Sequence, residues 1–251
     1  METRSRSRQI ALALLAAASW LAAAPCAAGP PFETDDPEPT DPGRWEIYAF
    51  ATGSRSAAET EGEAGLDINY GLAPDVQLTA VLPLSYERED RDRLGLGDIE
   101  LAVKFRFLHQ REGSPLPDVS FFPAVTLPTA ARGMGTGRVQ LFLPLWLQKD
   151  FGPWSLFAGG GFHLNPGRGN RDHWSGGIGI SRDLGERFSL GAEIYHETPD
   201  EAGERAFTGL NVGLTWRLDR RWSLLFSGGP GIQHRRDQGR YSLYAALKLD
   251  L

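Results

Sequence analysis

The sequence is poor in cysteine and lacks long hydrophobic runs. Cys26 is the only cysteine among 251 residues, and it lies in an N-terminal segment that we expect to be removed. A mature chain without cysteine has no disulfide, no thiolate metal ligand and no cysteine nucleophile. The longest apolar run, residues 10–24, is shorter than the roughly 20 residues that a membrane-spanning helix needs. A mean hydropathy of −0.31 also excludes a bundle of membrane helices.

The first 28 residues have the order that is typical of a secretory signal peptide. Arg4, Arg6 and Arg8 precede the apolar run, and small residues follow it. We expect cleavage after Ala28, with an uncleaved anchor as the alternative; the proline before Cys26 fits a lipoprotein signal poorly. Cleavage removes three arginines and one glutamate, so the formal charge changes from −6 to −8. An acidic exported chain is not expected to bind nucleic acid.

From residue 44 onward, short stretches alternate apolar and polar residues, and no convincing amphipathic helix occurs. In residues 97–107, "GDIELAVKFRF", the apolar side chains fall on one parity, and Glu100, Lys104 and Arg106 fall on the other. Successive side chains of a strand point to opposite faces, so this stretch predicts a strand with two different surroundings. Twelve strands are predicted, with starts near Arg44, Ala64, Asp75, Asp98, Val119, Gly137, Pro153, Asp172, Arg187, Ala206, Arg221 and Arg240.

The connections between the predicted strands alternate in length. Tight turns such as "GLAPD" and "DLGER" follow even-numbered strands, although the loop after the fourth strand is longer, and longer polar loops follow odd-numbered strands. This asymmetry and the even strand count are typical of an outer-membrane barrel with both termini in the periplasm. Aromatic girdles are expected at both membrane interfaces. The candidates are Trp45, Trp154, Phe188, Trp216 and Trp222 on the short-turn side, and Tyr86, Phe162, Trp174 and Tyr241 on the long-loop side.

The predicted fold is all-β: a transmembrane antiparallel β-barrel of about 12 strands, residues 44–251, with short periplasmic turns and longer extracellular loops. A basic residue that faces lipid near the midplane costs about 2–4 kcal/mol. We therefore expect Glu100, Lys104 and Arg106 to face the lumen, and Ile99, Leu101, Val103, Phe105 and Phe107 to face lipid. A soluble sandwich is the alternative fold, and ten or fourteen strands are alternative counts because residues 186–217 are weakly patterned.

Several stretches resemble a family of bacterial outer-membrane proteins named for the meta-pathway of phenol degradation. They are "PFETDDPEPTDPGRWEI", "LDINYGLAPDVQL", "GDIELAVKFRFL", "FPAVTLPT", "LPLWLQKDFGPW" and "GGGFHLNPGRGNRDHW". The resemblance implies an outer-membrane barrel with a transporter-like role in uptake or export. The chain differs from outer-membrane barrels at its last residue, Leu251. An aromatic residue usually stands there and directs recognition by the barrel-insertion machinery.

The predicted lumen contains charges of both signs, which can pair across strands. The candidate lumen and solute-binding residues are Asp67, Asn69, Glu100, Lys104, Arg106, Gln140, Gln148, His163, Glu193, Tyr195 and Lys248. Arg182 and Asp250 are also expected to face the lumen. Glu46 and Lys248 lie near the periplasmic ends of the first and last strands, so we predict an ion pair between them.

A dense polar cluster is predicted at the extracellular mouth, in the loop after the seventh strand. Its candidates are Asn165, Asn170, Arg171, Asp172 and His173, next to His163. A solute-contacting site is one interpretation. Two imidazoles and Asp172 could ligate zinc, but a Gly/Pro/Asn turn whose side chains bond to the loop backbone is favoured because the spacing matches no known ligand pattern. No metal and no cofactor is therefore expected.

Residues 29–43 form an acidic, proline-rich segment with five prolines and five carboxylates. Proline cannot donate to a strand ladder and like charges repel, so we expect an extended periplasmic arm. A disordered spacer, a periplasmic tether and a plug that pairs with Arg106 and Lys248 are the three interpretations.

The predicted function is that of an outer-membrane channel for passive passage of small solutes, apolar or aromatic in character, and not that of an enzyme. The expected partners are outer-membrane lipids, the insertion machinery and the solute. A structural or adhesive barrel with a sealed lumen is one alternative. The other is an outer-membrane hydrolase, for which Ser175 and His163 project the same way on adjacent predicted strands and Asn165 or Asp172 lies nearby.

Overall fold

The computed structural model describes residues 31–55, 60–88, 92–132, 134–233 and 241–251. The predicted signal peptide and Cys26 lie outside these residues. No helix among the described residues is long and apolar enough to cross a membrane. The described residues contain fourteen strand segments: β1 (Trp45–Arg55), β2 (Thr60–Ala73), β3 (Val76–Arg88), β4 (Asp92–Leu96), β5 (Ile99–Leu108), β6 (Asp118–Phe121), β7 (Ala124–Leu127), β8 (Gln140–Phe151), β9 (Trp154–Leu164), β10 (His173–Asp183), β11 (Phe188–Glu197), β12 (Phe207–Arg217), β13 (Trp222–Pro230) and β14 (Tyr241–Asp250).

The fourteen segments build a closed antiparallel barrel of twelve strands. β4 and β5 both pair with β3 and continue one another, and β6 and β7 both lie between β5 and β8. Pro123 interrupts the second of these strands, because proline has no N–H for the ladder. The barrel closes where β1 pairs with β14, and the Trp45 and Leu251 backbones exchange hydrogen bonds of 3.1 and 2.9 Å there. The prediction of an all-β barrel with twelve strands is confirmed.

The two faces of β5 meet the two surroundings that the sequence predicts. Phe105 is 47% exposed on the outside of the barrel, whereas Lys104 is only 4% exposed and points inward. Leu101, Val103 and Phe107 are also exposed on the outer face. An uncharged outer face of this kind can contact lipid, and the inner face keeps charged groups away from it.

Aromatic side chains lie on the outer surface near the strand ends. On the short-turn side, Trp45 packs on Tyr70 with 4.5 Å between ring centroids, and Phe188 stacks on Trp216 at 5.7 Å. On the long-loop side, Phe162 packs on Trp174 at 5.1 Å. The two groups mark the two interfaces of a membrane-embedded band.

The prediction that Arg182 faces the lumen is wrong. Arg182 is paired with Trp154 in the β9–β10 ladder and shares the outer face with Ile180. Its guanidinium lies 4.9 Å from the centre of the Trp154 ring. The residue is near the periplasmic end of β10, where a long basic side chain can reach water and stack on an aromatic ring, so the cost of facing lipid at mid-depth does not arise.

Candidate functional site in the barrel lumen

The N-terminal segment lies inside the barrel. We call residues 31–43 the arm. At the periplasmic end, Gly43 donates a backbone hydrogen bond of 2.8 Å to Gly71. Further inside, the Thr40 backbone N–H donates to the Gln77 side-chain oxygen at 2.7 Å. Thr34 and Asp36 are 1% and 2% exposed, so the arm is enclosed by the strands along its length.

Cations on β5 hold the acidic side chains of the arm. Lys104 Nζ lies 3.2 Å from an Asp35 carboxylate oxygen and 3.7 Å from Asp36, and it donates to the Asp36 carbonyl at 2.9 Å. Arg106 lies 3.8 Å from Glu38. A buried lysine needs such partners because an isolated charge away from water is costly. The negative charges of the arm and the positive charges of β5 therefore neutralise each other.

Glu193 on β11 holds the inner part of the arm. Its carboxylate accepts hydrogen bonds from the backbone N–H groups of Glu33 and Thr34, at 2.8 and 3.0 Å, and from the Asn211 side chain at 2.8 Å. Glu193 is 2% exposed. Hydrogen bonds to an ionised acceptor are stronger than neutral ones, and three donors satisfy this buried carboxylate.

Glycines on the inner face of β10–β12 make room for the arm. A Cβ atom built on Gly177 would lie 2.3 Å from the Thr34 hydroxyl, and one on Gly191 or Gly213 would lie 2.9 or 2.7 Å from the Phe32 ring. Phe32 also stacks on Phe157, with ring centroids 5.3 Å apart. These strands lack side chains where the arm packs, so the wall is shaped to the arm.

Above the arm, towards the long loops, the lumen opens into a cavity of about 650 Å³. We call this cavity the vestibule. The inner end of the arm, Pro31 to Glu33, forms part of its lining. Other lining residues come from β1–β3 and β8–β14, among them Thr52, Ser54, Glu61, Glu63, Ser85, Phe142, Trp146, His163, Ser175, Tyr195, Phe207, Asn211, Ser242 and Tyr244. The lumen is thus filled in its periplasmic half and open in its extracellular half.

Solved structures with a similar fold are outer-membrane barrels. An outer membrane channel from Pseudomonas putida F1 has a TM-score of 0.69 at 14% identity, covering 88% of this chain and 100% of the channel. The NanC porin has a TM-score of 0.58 at 8% identity, covering 80% and 99%. The translocator domain of the autotransporter NalP from Neisseria meningitidis has a TM-score of 0.56 at 12% identity, covering 84% and 90%. No family model and no curated protein matches the sequence.

The chain has the fold of an outer-membrane β-barrel. Its apolar outer band and aromatic girdles require a lipid bilayer around the barrel, so the predicted location in the outer membrane is confirmed. The predicted site residues lie within this closed wall and its polar interior.

The predicted lumen residues on β2, Asp67 and Asn69, face inward and form one network with Gln77 and Thr79 of β3. The Asn69 amide donates to Asp67 at 2.9 Å and accepts from the Gln77 amide at 2.7 Å. Thr79 donates to the same Asn69 oxygen. Since Gln77 also accepts from Thr40, this network connects the barrel wall to the arm.

The remaining predicted lumen residues are spread around the barrel. Glu100 lies opposite Thr126 in the β5–β7 ladder, and the Gln148 amide donates to Asp150 at 3.1 Å. Gln140 donates to Asn165 at the mouth. Tyr195 lies 3.2 Å from the Ser242 hydroxyl on β14. The sequence therefore places many inward residues on the right face, but it does not show which of them meet the arm and which line the vestibule.

The predicted ion pair at the barrel seam is confirmed. Lys248 Nζ lies 3.1 Å from a Glu46 carboxylate oxygen and 3.1 Å from Asp250. These contacts join the first and last strands, and Lys248 is 4% exposed. Of the two cations considered as partners for the arm, Arg106 contacts it, while Lys248 is paired with strand carboxylates.

The mouth cluster has the contacts of an ordered loop. The Asn165 backbone N–H donates to Asp172 at 2.8 Å, and Asn170 donates to the Asn165 side chain at 2.9 Å. The Arg171 backbone N–H donates to the Asp200 carbonyl at 2.6 Å, and His173 lies 3.2 Å from Glu197. Within the described residues, no group of three or more His, Cys, Asp and Glu side chains is arranged to hold a metal ion.

His163 and Ser175 meet in the vestibule, as their positions on adjacent strands predict. The imidazole Nε2 lies 2.7 Å from the serine hydroxyl. The His163 ring stacks between Phe142 and His173, at centroid distances of 3.9 and 4.2 Å. Ring stacking fixes the plane of the imidazole. In the nucleophile–base pair of a hydrolase, a third group also orients the base by a hydrogen bond.

Sequence reasoning missed the residues that receive the arm. Phe32 and Thr34 were not candidates, although they are the arm residues that contact the inward glycines. The pattern that could have revealed this site is the run of glycines on the inward parity of β10–β12, Gly177, Gly179, Gly191 and Gly213, because missing side chains on one face indicate a close neighbour there.

Proposed function

We propose that this protein is an outer-membrane channel for passive passage of small solutes and that the arm closes its periplasmic half. The observation that carries the proposal is an open vestibule that continues directly into a lumen occupied by an extended segment. Every contact of the arm with the wall that is described above is non-covalent. Displacement of the arm would therefore connect the vestibule with the periplasm without unfolding any strand.

Apolar or aromatic solutes suit this pathway best. Aromatic side chains line the vestibule, including Phe142, Trp146 and Phe207. The likeness to a channel and a porin supports a transport role. Within the described residues, the barrel and the arm form no energy-coupling module, so solutes would move down their gradient.

Conductance of the refolded chain in a planar bilayer tests this proposal. The two proteins to compare are the mature chain from residue 29 and a shorter chain that begins at residue 44. The shorter chain should give discrete channels of larger conductance, because the arm no longer fills the lumen. Heat-modifiable migration in a gel shows that both barrels have folded.

Two outcomes would contradict the proposal. Equal conductance with and without the arm would mean that the arm does not close the path. Two folded but silent barrels would favour a structural or adhesive barrel, the alternative that the filled lumen also supports.

The Ser175–His163 contact favours a second candidate, hydrolysis of an acyl ester in the vestibule. The serine oxygen would attack the ester carbonyl as its proton passes to the imidazole, and the imidazolium would give that proton to the departing alcohol. Water would then hydrolyse the acyl-serine and release the acid. Hydrolysis of a chromogenic ester by the folded barrel, and its loss in Ser175→Ala, would support this activity. Hydrolysis that persists in Ser175→Ala would exclude it.

A further inference from the structure

The vestibule has two walls of different chemistry. One wall comes from β1–β3 and carries hydroxyl groups and the carboxylates of Glu61, Glu63 and Glu87. The other comes from β8–β12 and carries most of the aromatic rings, together with Glu197. In the closed ring of twelve strands, β2 and β10 lie halfway round from each other, so the walls face one another across the cavity. A ligand that spans the vestibule would therefore contact rings at one end and carboxylates at the other.

The aromatic wall is ordered by its own contacts. Phe142 lies flat on His163, with an interplanar angle of 11°, and meets Trp146 edge-on at 6.3 Å. Tyr195 packs on Phe207 at 5.7 Å. Rings that are already fixed lose little conformational entropy when a ligand packs against them. They also prefer flat ligands, because offset and edge-on contacts between rings add to the hydrophobic gain.

The opposite wall is acidic and also ordered. The Ser85 hydroxyl donates to Glu63 at 2.7 Å, and the Ser54 hydroxyl donates to Glu61 at 2.6 Å. A carboxylate has about four acceptor positions, so the serine that orients Glu63 leaves room for a ligand donor. Among the described residues that line the vestibule there are five glutamates, three of them on this wall, and no lysine or arginine; Glu87 lies 3.8 Å from Arg93, which is not part of the lining. A cleft with charges of one sign concentrates ligands of the opposite charge.

We propose that the vestibule is a binding site for arylalkylamines, with the ring against the aromatic wall and the ammonium group near Glu63. A volume of about 650 Å³ is within the usual range for sites of small molecules. The cation replaces its hydration by a carboxylate, and the ring replaces its hydration by Phe142 and Trp146. The inference rests on the proposed function in that it names the class of solute that enters the pathway.

Binding of three ligands of similar shape and different charge tests this site. They are 2-phenylethylamine, 2-phenylethanol and phenylacetate, titrated by calorimetry into the folded mature chain in a zwitterionic detergent. We expect the amine to bind at least tenfold more tightly than the other two. Increasing salt should reduce the difference, because screening weakens the attraction to the carboxylates.

Substitutions at the two walls separate their contributions. Glu63→Gln keeps the acceptor for Ser85 and should reduce the preference for the amine at least fivefold, while Glu63→Asp should keep most of it. Phe142→Leu should weaken the binding of each of the three ligands whose affinity can be measured. Glu112→Gln, in the exposed periplasmic loop, is the matched control and should change nothing. Equal affinities for the three ligands, or an unchanged preference in Glu63→Gln, would overturn the inference.

Flux into liposomes through the chain that begins at residue 44, in which the arm no longer closes the path, distinguishes failure of this inference from failure of the proposed function. Preferential binding of the amine without flux of any solute would support the binding site and refute the channel. Flux of the three ligands at equal rates, without binding of the amine, would leave the channel and refute the site.

Discussion

At the scale of single residues, burial and charge decide how the lumen is organised. Lys104 is only 4% exposed to water, and its charge is matched by two carboxylates and a carbonyl of the arm. The inward direction of this lysine follows from the alternation of β5 in the sequence. Its partners do not, because Asp35 and Asp36 are almost 70 positions away and only the folded barrel brings them close.

Removal of the Lys104 charge should release the arm. In Lys104→Met, two arm carboxylates remain in the lumen without their cation, and breaking such a buried pair costs about 3–5 kcal/mol. We expect higher conductance and faster cleavage of the arm by a protease added on the periplasmic side. Lys149→Met, at the periplasmic end of β8, is the control. An arm as protected in Lys104→Met as in the unmodified chain would refute the role of this lysine.

Asp75 is a second residue whose surroundings have a measurable consequence. It lies in the β2–β3 turn with a φ of 65°, a conformation that asparagine and aspartate tolerate better than most residues. Its carboxylate lies 3.0 Å from Arg106 and 2.8 Å from His109. Partial burial opposes ionisation, but the hydrogen bonds from His109 and Arg106 prevail and lower the pKa of Asp75.

The stability contributed by Asp75 should therefore disappear in acid. A carboxyl group whose pKa is lower in the folded state stabilises it above the unfolded value, about 3.9, and loses that effect as the pH falls through the folded value. Asp75→Asn keeps the turn and should cost about 1 kcal/mol near neutral pH. Urea unfolding in lipid at several pH values measures the difference from the unmodified chain. A difference that persists at a pH below the folded pKa of Asp75 would contradict this assignment.

At the scale of elements, the sequence predicts the strands better than their interruptions. The alternation of apolar and polar residues gives twelve strands, including the two in the weakly patterned region 186–217, β11 and β12. It misses β4, because the predicted fourth strand begins only near Asp98 and the residues before it are predicted to be a loop. It also does not separate β6 from β7, because this pair continues along the same neighbours. The fit between arm and wall is also invisible locally, since it depends on glycines from different strands that face one segment.

A large side chain at one of these glycines should expel the arm. Leucine at position 213 would occupy the space of the Phe32 ring, since even a Cβ atom would lie 2.7 Å from it. Gly213→Leu should therefore raise conductance to nearly that of the chain that begins at residue 44. Gly53→Leu is the control, because a Cβ at Gly53 meets no atom closer than 3.8 Å. Unchanged conductance in Gly213→Leu would show that the arm does not need this space.

At the scale of the whole molecule, fold and location follow from the sequence, and the path through the lumen does not. Strand number, orientation and the two girdles are consequences of local alternation and of the difference between lipid and water. The occupied lower lumen and the open vestibule depend on where the arm lies, and the sequence alone favoured a disordered spacer over a plug. A short acidic segment contains no pattern that specifies its partners, which are spread over β3, β5 and β11.

That spread has a consequence for the order of assembly. Gln77 and Lys104 are partners in the β3–β5 ladder, whereas Glu193 on β11 lies on the opposite side of the wall. Glu193 approaches the other two only when β1 meets β14 and the sheet curls shut. The arm can dock only after the barrel has closed, so docking is the last event of folding. A docked arm therefore indicates a closed barrel. A time course of protease protection at residues 31–43 would thus date the completion of the barrel, independently of any probe on the strands.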